Sequence, residues 1–154
     1  DMKISVLMVC LGNICRSPMA EGAFRAHALD MGLDLHIDSA GTGDWHVGHP
    51  PDRRAQYAAR KRGGVDISGL RARQVCQSDF HEYTYILAMD RSNLAHLQSM
   101  QSASGSARLG LLLDYLPGFG GQDVADPYYG TDQEFADCWA QVDAATRAFA
   151  RTLL

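Results

Sequence analysis

Cys10-Leu11-Gly12-Asn13-Ile14-Cys15-Arg16-Ser17 joins a short apolar run to a helix start and sets a cysteine and an arginine at the ends of one small loop. Upstream, Ile4-Ser5-Val6-Leu7-Met8-Val9 reads as a strand covered on both faces. Downstream, Ser17-Pro18 offers an N-cap hydroxyl and a proline whose missing N–H costs nothing in a first helical turn. The N–H groups of such a loop and first turn have no internal partners, so they converge into an anion-binding nest at the positive end of a helix dipole. Gly12 permits close backbone approach and Asn13 tolerates positive φ, so a tight turn fits here. The pattern points to a cradle for a phosphoryl group.

Two side chains indicate what that cradle does. Arg16 presents a rigid planar fork that holds two phosphoryl oxygens at once and keeps its charge at any relevant pH, which lysine does not reproduce. Cys10 lies in the field of the same amides, which should favour thiolate over thiol, and the Ser17 hydroxyl is placed to donate to it. Read instead as a small buried strand-end residue, Cys10 leaves Arg16, Gly12 and Asn13 without a purpose. A second signal lies in Asp123-Val124-Ala125-Asp126-Pro127-Tyr128-Tyr129-Gly130. Thiolate attack on a phosphate ester needs a proton donor for the departing oxygen and later a base for water, and one carboxyl serves both needs. Pro127 holds Asp126 out of the helical region and stiffens its loop.

The chain has 154 residues, 46% of them apolar, which suits one domain over 2–154 with a sizeable core and no linker-like division. Asp1 ahead of Met2 reads as an addition before a natural initiator. A net charge of -4 without a long basic run argues against general nucleic-acid or membrane-surface binding. Arg53-Arg54 and Arg60-Lys61-Arg62 read as the solvated side of a helix. No apolar run approaches a membrane span and no leader pattern opens the sequence, so the cytoplasm is expected. Four cysteines, 10, 15, 76 and 138, form no disulfide framework at this length and fit a reducing compartment. Cys10 and Cys15 are near enough in sequence for an oxidised Cys10 to be trapped as an internal disulfide, or Cys15 is simply a small loop residue. Six histidines show no ligand spacing beyond His46/His49, and neither metal nor cofactor is expected.

Helical spacing follows the loop from about Pro18 to Met31, with a stop at Gly32. Leu33 to Ser39 alternates as a strand, and a helix is expected from about Asp52 to Arg62, ending at Gly63-Gly64. Asp79-Phe80 marks a short helical turn, Tyr83 to Met89 a third strand, and Asn93-Leu94 with Leu97 another helix. Gln98 to Ser106 reads as a surface loop, Leu109 to Leu113 as a fourth strand, and Asp114 to Gly121 as a glycine-rich connection. Phe135, Cys138-Trp139, Val142, Ala145, Phe149 and Leu153 mark a closing amphipathic helix, with Trp139 in the core. The fold class is therefore α/β: a single doubly wound domain, a parallel sheet with helices on both faces and the phosphate loop after strand 1. In such sheets ligands bind beyond the carboxyl ends of the strands, where the Cys10 loop falls.

On these stretches the chain resembles the low-molecular-weight protein tyrosine phosphatases. The likeness runs through Val9 to Glu21, Asp38-Ser39-Ala40-Gly41-Thr42, Trp45-His46-Val47-Gly48 with Pro51-Asp52, Ala72-Arg73-Gln74, Tyr85 to Asp90 and Asp126 to Gly130. The resemblance implies a four-stranded parallel sheet, Cys10 as nucleophile, Arg16 as phosphate clamp and Asp126 as general acid and then base. It implies substrate contacts from Leu11, Gly12, Asn13, Ile14, Cys15 and Ser17, with Leu11, Trp45, Tyr128 and Tyr129 walling an aromatic-sized crevice. Asn13 and Ser39 would hold the loop in shape. Several members carry a histidine supporting the loop asparagine where Leu70 aligns, and leucine makes no such bond. The implied partner is a phosphotyrosine-containing protein, met by a monomer without nucleic acid or membrane. A ring between Trp45 and Tyr128 contributes about 0.5 to 1.5 kcal/mol beyond area burial, which favours aryl over alkyl phosphates. Protein arginine phosphatases share the loop but usually carry threonine where Ile14 stands. Arsenate reductases of this fold need two further neighbouring cysteines. A nucleotide P-loop is excluded by the missing Gly-Lys-Ser/Thr ending.

Overall fold

Val6 and Met8 belong to one apolar cluster and Leu7 and Val9 to another, so the first strand faces two separate cores. This alternation, in a strand buried at every position, demands a covering layer on each side of the sheet. The computed structural model describes residues 3–154, and the readings that fall on residues 1 and 2 lie outside them. Chain order runs β1 (Ser5–Cys10), α1 (Arg16–Asp30), β2 (His36–Gly41), α2 (Arg53–Gly63), α3 (Asp79–Glu82), β3 (Tyr85–Ala88), α4 (Arg91–Met100), β4 (Arg108–Leu111), a 3-10 turn (Leu112–Tyr115) and α5 (Asp132–Thr152).

The strands form one four-stranded sheet in the order β2-β1-β3-β4, and every neighbouring pair is parallel. Residues of α1, α2 and α5 pack with Val6 and Met8, whereas Phe80 and Leu97 from α3 and α4 pack with Leu7 and Val9. The doubly wound α/β architecture is thus as expected. Because β1 lies between β2 and β3, chain connections diverge to either side at its carboxyl end, which opens a crevice there. Cys10 is the last residue of β1 and stands at that opening.

Several boundaries differ from the sequence reading for identifiable reasons. Helix α1 begins at Arg16 with Cys15 in the cap position and no side-chain cap, so Ser17 is not the N-cap; its hydroxyl is engaged by the phosphate loop instead. Strand β2 begins at His36 and reaches Gly41, with Leu33 and Leu35 packing on the core from the preceding turn. Helix α4 continues to Met100, so only the part of the polar stretch from Gln101 onward is loop, and Gln101 Nε2 donates to the Gly105 and Ala107 carbonyls there. Strand β4 stops at Leu111, and Leu112 and Leu113 turn into the core on the 3-10 segment. Helix α5 starts ahead of Phe135 because Thr131 and Glu134 close a capping box. Trp139 is buried, as read from its spacing.

Gly41 ends β2 against the phosphate loop. A Cβ there would lie 2.7 Å from the Leu11 carbonyl oxygen and 3.2 Å from the Asn13 nitrogen, contacts with backbone that has no room to yield. A Cβ at Gly110 meets nothing within 4 Å. Gly41→Ala is therefore expected to lower unfolding free energy by about 1–3 kcal/mol, the usual cost of overpacking, while Gly110→Ala stays within about 0.5 kcal/mol. Urea unfolding of the two variants beside the parent chain measures this.

Candidate active site

Asn13 adopts the left-handed backbone conformation at φ 57°, a non-glycine residue with positive φ. Both hydrogens of its side-chain amide and its side-chain oxygen are engaged. Nδ2 donates to Ser17 Oγ at 2.8 Å and to Ser39 Oγ at 3.0 Å, and Oδ1 accepts the Arg73 amide at 3.0 Å. Ser39 in turn donates to Glu21 Oε1 at 2.7 Å. Since Asn13 donates into Ser17 Oγ, the serine keeps its own hydrogen for the nearer acceptor, Cys10 Sγ at 3.0 Å, rather than for the Ala40 carbonyl at 3.4 Å. The Asn13 amide also points at that sulfur, at 3.3 Å. A buried polar chain thus runs from Glu21 through Ser39, Asn13 and Ser17 to Cys10. Leu70 joins the apolar core, and the Arg73 amide occupies the asparagine oxygen.

Arg73 is held in place for this by Asp79, which accepts two bonds from its guanidinium at 3.0 and 3.1 Å, and by Asp38 at 3.0 Å. Glu21 is 1% exposed, and burial pushes its carboxyl above the ordinary range although Ser39 and Arg25 pull it back down.

Arg16 is buried beside the sulfur. Its Nη1 donates to Asp90 Oδ2 at 2.7 Å and to the Val124 carbonyl at 3.0 Å, and its Nη2 lies 3.6 Å from Asp126 Oδ2. Burial works against the charge, but Cys10, Asp90 and Asp126 outweigh it and hold the guanidinium firmly cationic. Asp90 is itself fixed, since its Oδ1 caps α4 through the Asn93 amide. Asp126 is half-exposed and accepts the Tyr128 amide at 3.1 Å.

The crevice over this cradle has a volume of about 450 Å³ and is lined by Cys10, Leu11, Ile14, Arg16, Trp45, Asp126 and the Tyr128–Tyr129 pair, together with Gly12, Cys15 and His46. Its floor is charged and its walls are aromatic. Tyr128 and Tyr129 meet edge-on at 4.9 Å, and His46 lies 6.1 Å from the Tyr128 ring. A chain atom added at Gly12 would stand 3.1 Å from the His46 ring, which is why the loop runs bare backbone at that point.

A family model described as low molecular weight phosphotyrosine protein phosphatase matches residues 5–154. The chain belongs to this family. It is accordingly a phosphotyrosine protein phosphatase, a hydrolase. Over 128 residues it is 48% identical to the low molecular weight protein-tyrosine-phosphatase YfkJ of Bacillus subtilis, covering 82% of this chain and 81% of that protein. A crystal structure of a protein tyrosine phosphatase from Entamoeba histolytica superposes with a TM-score of 0.92 at 31% identity, over 98% of this chain and 97% of that one. A Drosophila arginine phosphatase superposes with a TM-score of 0.89 at 32% identity, over 99% and 98% of the two chains.

In this phosphatase the residues singled out from the sequence gather at one end of the sheet. Cys10, Leu11, Gly12, Ile14, Cys15 and Arg16 line the floor, and Trp45, Asp126, Tyr128 and Tyr129 arrive from two other loops. The side chains of Asn13 and Ser17, expected as substrate contacts, are buried behind the floor with Ser39 as its support. Other participants lie in stretches that carry the family likeness, but nothing in the sequence assigns them a role. Asp90 sits at an ordinary helix cap, Arg73 and Glu21 act from outside the loop, and His46 stands beside the Tyr128 ring in the crevice wall. Arg54, read as solvated, instead turns onto the Asp126 loop, where it donates to the Tyr128 carbonyl at 2.9 Å. Burial pushes the Cys15 thiol far up and the Cys138 thiol up to about 12. Among the described residues no cluster suited to a metal ion occurs, and no helix is long and apolar enough to cross a membrane.

The raised Glu21 carboxyl has a consequence for stability. A folded-state pKa above the unfolded one means that the protonated form's stabilisation is complete below the ordinary value of 4.5 and is lost as pH rises through the raised value. Gln keeps an oxygen for Ser39 and does not ionise. Glu21→Gln should therefore gain stability relative to the parent between pH 4 and about pH 7, measured by urea midpoints at both ends. An unchanged difference across that range contradicts the assignment.

Proposed function

We propose that this phosphatase hydrolyses phosphotyrosine in proteins, and small aryl phosphates, through a cysteinyl-phosphate intermediate. The observation that carries the reading is the sulfur of Cys10, met by the Ser17 hydroxyl and the Asn13 amide beside a buried, fully charged Arg16. In the first step the Cys10 thiolate forms a bond to phosphorus while the P–O bond to the tyrosine breaks. Asp126 gives its proton to the departing oxygen. Arg16 and the loop amides hold the equatorial oxygens as charge builds on them. In the second step the Asp126 carboxylate takes a proton from water, whose oxygen attacks phosphorus. The S–P bond breaks, and inorganic phosphate leaves with the thiolate restored. The Ser17 hydroxyl eases that departure by donating to the sulfur.

Selectivity for tyrosine rests on depth and flatness. A ring reaching the floor passes between Trp45 and Tyr128, walls that a serine phosphate is too short to use. Arginine phosphatase activity is the second reading, supported by the Drosophila relative in fold. Against it stand the apolar Ile14, buried in the crevice floor, and the aromatic slot. The enzyme is proposed to act as a cytoplasmic monomer without metal, cofactor, nucleic acid or membrane. Cys15, buried on the loop that carries Cys10, is proposed to trap an oxidised Cys10 as a disulfide.

Para-nitrophenyl phosphate hydrolysis tests the roles. Cys10→Ser is expected to show no turnover, and Asp126→Ala to lose about 10²- to 10⁴-fold, the range for a missing general acid. Comparable rates for the variants and parent would overturn the mechanism. Peptides decide the substrate: phosphotyrosine is expected to be cleaved faster than phosphoarginine or phosphoserine, and faster phosphoarginine cleavage contradicts the reading.

A further inference from the structure

Asp126 stands in a segment with no helix or strand, yet its carboxyl must meet the departing oxygen to within a fraction of an ångström. Its upstream side is fastened by bonds to the sheet and to α4. The Val124 amide donates to the Met89 carbonyl at 2.8 Å, and the Asp123 carboxylate takes the Arg91 amide at 2.8 Å and its guanidinium at 3.1 and 3.2 Å. On the downstream side the Gly130 amide closes back on the Pro127 carbonyl at 2.8 Å and the α5 capping box begins at Thr131. Among the described residues the side chain from outside this segment that bonds the backbone between Pro127 and Thr131 is that of Arg54. Its Nη2 donates to the Tyr128 carbonyl at 2.9 Å and its Nη1 to the Gly130 carbonyl at 3.4 Å.

Arg54 is locked to do this. Nε donates to Asp52 Oδ1 at 3.1 Å and Nη2 to Oδ2 at 3.0 Å, while the guanidinium lies over the Phe135 ring at 4.4 Å. Burial raises the Asp52 carboxyl, but the bonds from Arg54 outweigh it and leave the group below its ordinary range. The Asp52 amide donates to the Ile14 carbonyl at 2.8 Å, which ties the same unit to the phosphate loop. At the other end the Tyr128 amide donates to Asp126 Oδ1 at 3.1 Å. One covalent and hydrogen-bonded path therefore links the nucleophile's loop to the acid: Ile14, Asp52, Arg54, Tyr128, Asp126.

Resting on the assignment of Asp126 as proton donor, we infer that Arg54 is a positioning residue that sets the acid's distance from the phosphate loop. Arg54 lies outside the lining of the crevice over Cys10. Lysine, a point charge without the fork, cannot hold Asp52 bidentately and the two carbonyls together. Loss of Arg54 therefore affects proton delivery and leaves the anion cradle intact.

The discriminating readout is leaving-group dependence. A phenolate that departs poorly depends on the donated proton more steeply than para-nitrophenolate does, so a misplaced acid is felt first on the poorer leaving group. Arg54→Lys and Arg54→Gln are assayed beside the parent and Asp126→Ala on phenyl phosphate and para-nitrophenyl phosphate, with competitive inhibition by inorganic phosphate. Both arginine variants are expected to lose about 10-fold or more in kcat/KM on phenyl phosphate and under about threefold on the nitrophenyl ester, with phosphate inhibition held within about twofold. Asp126→Ala shows the same bias more strongly. Equal losses on both esters, no loss, or weakened phosphate inhibition would overturn the inference while the Asp126 bias stands. If Asp126→Ala shows no bias, the acid assignment fails first and takes this inference with it. Arg54→Lys keeps a cation over Phe135, so the question stays answerable where Arg54→Gln does not fold.

Discussion

A left-handed asparagine, held through both of its side-chain hydrogens and its side-chain oxygen, is the constraint from which the site follows. Positive φ on a non-glycine residue costs roughly 1–3 kcal/mol. Three hydrogen bonds, two buried ones to Ser17 and Ser39 and a partly buried one from the Arg73 amide, contribute about 0.5–1.5 kcal/mol each, enough to offset it. The balance matters because that backbone turn aims the Asn13 amide at Cys10 Sγ and leaves the first turn of α1 without a side-chain cap. An anion in the loop thus meets donors already in place. No reorganisation is needed when charge develops, which is the condition under which such donors act most strongly.

The same economy governs the charges. Arg16 is a buried cation whose two carboxylate neighbours differ in kind. Asp90 is immobilised at a helix cap and sets the plane of the guanidinium, while Asp126 is half-exposed and sits farther off at 3.6 Å. In the proposed reaction the first orients the clamp permanently and the second is at liberty to exchange a proton. A buried cation lacking the fixed partner would carry a penalty of several kcal/mol, so Asp90 is as necessary as the loop it supports.

Much of this was legible in order. The apolar strand, the Cys-to-Arg loop, the helix stop at Gly32 and the alternation of strands with helices all follow local rules, and they place Cys10 at the carboxyl edge of a parallel sheet. Ser17 was read as a cap because Ser-Pro usually opens a helix. Only the folded loop shows that its hydroxyl is taken by sulfur. Asp90, Arg73 and Glu21 fall in stretches that resemble the family, yet their roles are not legible there because they depend on partners 18 to 74 residues away in the chain. Arg54 differs from its expected solvated place for the same reason: a charge on a helix face looks solvated until a distant loop settles on it.

The central claim is that sulfur, presented by this loop, takes the phosphoryl group itself. Acid-quenching Asp126→Ala during turnover of an aryl phosphate, followed by peptide mapping and phosphorus NMR, tests that most directly. The account predicts phosphate bound through sulfur on the peptide containing Cys10 and on no other. Phosphate on another residue, or none while product is released in a burst, would contradict it.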